Sequence, residues 1–243
     1  MRLTHVDRRA WRVGFLPQPW EWSDWRWAGP DGRFNGRWDP LDHGLYRTVY
    51  AGDTLLSCLV ELLAPHRPDP YLMADMDAIL EDAEDEELHP TAPAGHLDIG
   101  QWLVNRTAGS ARLQGRFVDI TAAETVADLH PLFKGRALAY NLKDFDAAAL
   151  KNAENRLLTQ EVSQHLWTRR NPDGSDFCDG IQFRSRHGDD LLLWAVYERD
   201  SDGQVSTHIT DMESAALAAE TPELRSAMDL LGLTRYCARR RQA

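Results

Sequence analysis

The apolar positions of this chain fall into short periodic blocks separated by turn-forming residues, and each block predicts an element. Tyr46 to Ala51, YRTVYA, alternates and is rich in strand formers, so it predicts a strand. Behind it Asp53 and Thr54 are candidate N-caps for LLSCLVELL, a short helix that Pro65 closes. A strand feeding directly into a helix puts Tyr50 at the strand's end and Glu61 about two turns into the helix. Residues 71–88 read as a strand or short helix running into an acidic turn. FVDI at 117–120 reads as a strand, and Thr121 as the cap of a helix ending near Leu132. In ENRLLTQEVSQHLW, Leu158, Val162 and Leu166 share one face with Leu157 and Trp167 alongside, which predicts an amphipathic helix packed on a sheet. GIQFRS and LLLWAVYE are two strands, and the RHGDD between them makes a hairpin the simplest connection. Residues 213–233, ESAALAAETPELRSAMDLLGL, read as helical except at Pro222.

Helices and strands are mixed without regular βαβ alternation, so the fold class is α+β. No repeat or low-complexity linker divides the 243 residues, which read as one domain spanning 1–243. PWEWSDWRW, with Trp20, Trp22, Trp25 and Trp27 between prolines and glycines, predicts an irregular aromatic-packed loop near the start. A hydrophobic content of 43% with 27% charged residues is the balance of a soluble globular protein, and no apolar run is long enough to span a bilayer. MRLTHVDRRAWRVGF lacks the apolar core of a signal peptide, so a cytoplasmic location is expected. Cys58, Cys178 and Cys237 form no CxxC pair and read as reduced thiols.

Charge changes the picture. The net charge is -11, yet residues 1–50 are rich in arginine, while Asp69 to Glu87 holds nine acidic residues and no Lys or Arg. An acidic surface repels a long polyanion, which argues against nucleic-acid binding; a small phosphate-bearing ligand needs only a few well-placed arginines. Arg33 and Arg37, in GRFNGRWD, are spaced so that a Gly-containing loop lets them converge on one anion; the plainer alternative leaves them solvated or paired with Asp31 and Asp39. Glu61, among Leu59, Val60, Leu62 and Leu63, either lies on a solvated helix stripe or projects into a pocket where its carboxylate is paired or used. Ser185 stands two residues before His187, but no GxSxG elbow surrounds it. There is no HExxH, GxGxxG or GxxxxGK[ST] motif, so a metal site, a Rossmann site and a P-loop all lack support.

Taken in order, WRV, GRFNGRWD, YRTVYAG, LVELL and the late DGIQFRSRHGDDLLLWAVYE resemble the RES domain family, from about Trp11 to Glu198. Residues 199–243 would then form a helical C-terminal extension. Asp39 stands where the family more often has Asn. The resemblance implies an ADP-ribosyltransferase-like mixed sheet core with surrounding helices, and cleavage of NAD as a substrate with no separate cofactor. It also implies a toxin restrained by a helix-turn-helix (Xre-like) antitoxin. Carried over, the catalytic set is Arg37, Glu61 and Ser185. Arg12, Arg33, Arg37 and Tyr50 would bind the dinucleotide, the arginines at its phosphates and Tyr50 stacked on nicotinamide. Glu61 would stabilise the cationic ribose that forms as neutral nicotinamide leaves. Water, inorganic phosphate or a macromolecule remain open as the acceptor. A glycosidase with a second carboxylate and a non-catalytic interaction module using the acidic segment 69–87 are the rival readings.

Overall fold

The computed structural model describes residues 1–69, 71 and 95–236. The acidic segment beyond Asp69, apart from Tyr71, lies outside the described residues, as do Cys237 and the basic tail Arg239–Arg241.

The longest strands are β1 (Leu3–Phe15) and β4 (Arg106–Asp119), paired antiparallel from Leu3↔Val118 to Phe15↔Arg106. Between them come β2 (Thr48–Gly52), α1 (Leu55–Leu63), a short β3 (His96–Asp98) and α2 (Ile99–Leu103). After β4 come three helices, α3 (Ala123–Ala139), α4 (Ala147–Lys151) and α5 (Arg156–Thr168), then the hairpin of β5 (Gly180–Ser185) and β6 (Gly188–Tyr197). The chain then adds β7 (Ile209–Ala215), α6 (Pro222–Leu231) and β8 (Thr234–Tyr236), the last parallel to β3.

The main sheet is mixed and has six strands in the order β1-β2-β6-β5-β4-β7. Because β1 also pairs with β4, the hydrogen-bonded path β1, β2, β6, β5, β4 returns to its start. One edge of β4 is taken by β1. The other is shared between β7, over Ala108–Leu113, and β5, parallel over Phe117–Asp119. The enclosed space is filled by Val6, Ala10, Trp20, Val49, Ala51, Leu113, Phe117 and Trp194. Two further cores lie outside this ring. One joins α3, α4 and α5 to Ile181, Phe183, Leu193, Ala195 and Tyr197; the other joins α1 and α6. Strand β6 therefore buries both its faces, which is why its sequence LLLWAVY is a continuous apolar run rather than an alternation.

The helix after β2 forms as its sequence predicts: Thr54 caps it, its hydroxyl accepting from Ser57 N, and a 3-10 turn at Ala64–His66 follows Leu63. Helix α5 is capped by Asn155 and buries Leu158, Val162 and Leu166 as expected. Three sequence-based expectations need correction. Thr121 caps nothing; α3 starts at Ala123 and continues through Pro131 to Ala139, because Phe133 and Ala137 beyond the proline are buried against the core and offset the lost backbone bond. The region after residue 198 is not simply helical: the run from Glu213 is first strand, since β4 presents an open edge that β7 occupies, and α6 begins only at Pro222 in the N1 position. The strand expected at 117–120 is the tail of a strand beginning at Arg106.

Cys58 and Cys178 are buried free thiols, each pushed up to about 12 by desolvation. Among the described residues no helix is long and apolar enough to cross a membrane.

Candidate active site

The loop that carries Arg37 is held by its own backbone. Gly36 N donates to Asp39 Oδ2 at 2.5 Å, and the other carboxylate oxygen of Asp39 accepts from Thr48 Oγ1 and, at 3.2 Å, from Tyr50 Oη. Tyr50 Oη in turn accepts from Trp38 N at 2.8 Å, and Gln160 Nε2 donates to Gly36 O at 3.1 Å. A Cβ at residue 36 would stand 2.5 Å from both Asp39 Oδ2 and Tyr50 Oη, so only glycine lets the loop close onto β2. Asp39 is buried, and desolvation raises its pKa against these donors. Its role is to fix the loop. With both ends pinned, Arg37 projects away and donates Nη1 to Leu150 O at 2.8 Å and Asn152 O at 3.2 Å. Its remaining nitrogens have no protein partner among the described residues. Burial lowers the Arg37 pKa while Glu61 opposes that shift, and the guanidinium stays charged.

Glu61 lies on α1 one turn beyond the fully buried Ser57 and opposite the buried face of Leu55, Leu59 and Leu63. Its partner comes from far along the chain. Ser185, 1% exposed at the end of β5, donates Oγ to Glu61 Oε1 and accepts from His187 N at 2.9 Å. A register shift between Arg184 and Ser185, just before the hairpin turn, aims the hydroxyl at the helix. The hydroxyl bonds to the His187 backbone and not to its ring, so the serine does not form a nucleophile–base pair with that histidine. One donor thus fixes one carboxylate.

Arg37, Glu61, Lys151, Arg184 and Arg186 line a narrow cavity, with Trp38, Ile120 and Phe183 forming its apolar wall. A wider opening of about 630 Å³ adjoins it through the shared residues Lys151 and Arg186, and adds Arg67 and His187. Together they make one cleft with a single carboxylate among several cations. Burial lowers the His187 pKa; Glu61 works against this and the neighbouring Arg186, Arg67 and Arg37 add to it.

The other residues singled out from the sequence go elsewhere. Arg33 is spent on Asp31, Nε to Oδ2 at 2.8 Å, and on Leu41 O at 2.9 Å; it does not line the cleft and does not converge with Arg37. Arg12 faces inward from β1 at the end of the ring, donating Nε to Pro19 O at 2.6 Å and Nη1 to Tyr50 O at 2.9 Å. It lines a different cavity, of about 1020 Å³, walled by Trp22, Trp27 and Phe15. Arg47 lines that cavity too, with its guanidinium locked on Glu198. Tyr50 is half-buried and its hydroxyl is fully engaged in holding the loop. The structure therefore brings together Arg37, Glu61 and Ser185, with Tyr50 and Asp39 behind them.

Sequence reasoning missed the cations Arg67, Lys151, Arg184 and Arg186. Two had a signal: in FRSRHG the arginines flank Ser185, Arg184 alternating outward on the strand and Arg186 in the turn, and both are exposed. Lys151 had none, since only the packing of α4 brings it near. Among the described residues no group of acidic, histidine or cysteine side chains is placed to hold a metal ion.

A family model described as the RES domain matches residues 9–213. No curated protein and no solved structure matches the chain.

Proposed function

The chain belongs to the RES domain family, and from that premise we propose that it cleaves the nicotinamide–ribose bond of NAD on an ADP-ribosyltransferase-like scaffold. The observation that carries this reading is the hydrogen bond from Ser185 to Glu61 beside the partly free guanidinium of Arg37. Nicotinamide in NAD is a cationic leaving group that departs neutral, so no acid is needed to protonate it. What the reaction needs is stabilisation of positive charge building on the ribose. A carboxylate held in advance by one hydrogen bond supplies it without reorganising during the reaction. Glu61 would accept from the ribose hydroxyls and face the developing oxocarbenium, while Ser185 keeps the carboxylate oriented. Arg37 and Arg184 would take the diphosphate through charge-assisted hydrogen bonds.

The reading extends to control. A mixed cationic cleft is complementary to an anionic segment, and family membership is consistent with a toxin–antitoxin pair; the partner would be a helix-turn-helix protein whose acidic end covers Arg37 and Arg184. Expression alone would then deplete cellular NAD, and co-expression of the partner would restore it.

The test is incubation of the full chain, free of partner, with NAD, with and without inorganic phosphate, following nicotinamide and the ADP-ribosyl product. Nicotinamide release dependent on Glu61 supports the proposal, and the product separates water, phosphate and macromolecule as acceptor. No release from folded protein at high concentration removes it. The interaction-module reading draws on one observation, the exposed Phe15, Leu16, Trp27 and Val104 that surround the large cavity, and would gain from that negative result.

A further inference from the structure

The outer cleft holds more positive charge than a diphosphate and a ribose require. Arg67, Lys151, Arg186 and His187 line it, and none of its lining residues is acidic. Arg186 is exposed and makes no hydrogen bond or ion pair among the described residues. Arg67, also exposed, gives only Nη2 to Leu230 O at 3.3 Å. Lys151 pairs with Asp189, whose carboxylate is 82% exposed and free to turn into solvent. The apolar lining is limited to Ala64 and Ala148, too little to hold a base or a hydrocarbon chain. Such a lining suits a compact, multiply charged anion. The chain is strongly acidic overall, so a concentrated positive patch in a concave site focuses the local field toward anions of high charge.

On the proposed reading Arg37 and Arg184, which face the narrow end of the cleft, take the diphosphate. The remaining cations fit a phosphomonoester, which adds about −1.5 to −2 charges at pH 7 and three strong acceptor oxygens. We infer that the outer cleft is a phosphomonoester subsite, and that this chain prefers a nicotinamide dinucleotide bearing an extra phosphate on its adenosine ribose over NAD itself. The inference rests on the reading that the Glu61 cleft takes a nicotinamide dinucleotide. Arg67 and Arg186, with fork-shaped donors free to engage two oxygens each, are the residues that discriminate.

Calorimetric titration of the full chain with ADP-ribose and with its 2′-phosphorylated form tests this without requiring turnover. The phosphorylated ligand is expected to bind about tenfold tighter or more, as charge-assisted hydrogen bonds to a dianion imply. The advantage should shrink as salt rises. A double variant, Arg67→Ala with Arg186→Ala, should bring the two affinities together while its melting curve matches that of the parent. Equal affinities for the parent chain, or a ratio the double variant leaves intact, overturn the subsite. Inorganic phosphate is the other source of the same dianion. If phosphate alone binds as tightly as the 2′-phosphate group contributes, the cleft serves free phosphate and the substrate preference falls. Preferential binding of the phosphorylated ligand with no nicotinamide released from either dinucleotide would keep the subsite and sink the cleavage reading. Failure of both ligands to bind would sink both.

Discussion

Two regions of this molecule gather arginine and tryptophan, and they differ in whether the arginines are already taken. Around the large cavity at the end of the strand ring, Arg47 is locked on Glu198 and also donates to Ser23 O, with Trp22 and Trp25 under its guanidinium; Arg12 is bonded to two backbone carbonyls. In the cleft at Glu61, Arg37 keeps nitrogens unpaired among the described residues, and the side chains of Arg184 and Arg186 make no hydrogen bond or ion pair to them. The same residue types thus build a structural clamp in one place and leave charge available in the other. Pairing, more than composition, separates them.

The sharpest test of that contrast is Glu61→Gln, which keeps the size of the side chain and a possible bond to Ser185 but removes the charge. Nicotinamide release should fall by about 10²–10³ with an unchanged melting curve. Near-parental turnover in folded protein would mean that the cleft is not where chemistry happens. Next in size, Arg37→Lys keeps the charge and loses the planar fork, so binding of ADP-ribose to the Glu61→Gln background should weaken by about 10- to 100-fold. Unchanged affinity would place Arg37 with the structural arginines. On the other side of the comparison, Arg47→Ala should lower stability by about 1–2 kcal/mol in chemical denaturation, because it leaves the half-buried Glu198 carboxylate with only the backbone N–H of residue 47. Its KM for the dinucleotide should stay at the parental value, and a large rise in KM would show that the aromatic cavity takes substrate. The smallest effect is expected of Arg33→Ala, whose ion pair with Asp31 is exposed: turnover and affinity should match the parent within assay error. A clear loss of affinity would restore Arg33 to the site and erase the distinction drawn within its own loop.

What the sequence shows of this fold is what local chemistry decides. Thr54 caps its helix, α5 buries Leu158, Val162 and Leu166, and the β5–β6 hairpin forms around a turn at Arg186 and His187, because each choice depends on neighbours a few residues away. Strand β1 is illegible for the opposite reason. Its LTHVDRRAWRVGF carries charges at Asp7, Arg8 and Arg9 and owes its conformation to β4, a hundred residues later, whose own Ala, Gly and Ser positions are weak strand formers. Of the site, Arg37, Glu61 and Ser185 could be named through the order of motifs. Their convergence, the spending of Arg33 and Arg47 on carboxylates, and the arrival of Lys151 depend on long-range packing that no local pattern encodes.

The bond between Ser185 and Glu61 spans 124 residues of sequence. During translation, at about 5–20 residues per second, the helix bearing Glu61 leaves the ribosome roughly 6–25 s before its serine does. Until then the nascent polypeptide has a carboxylate with nothing to hold it, and β2 lacks β6, its main neighbour in the sheet. The cleft is complete only after synthesis has passed the second hairpin strand, and products terminated before Ser185 carry Arg37 and Glu61 without the serine that orients the carboxylate.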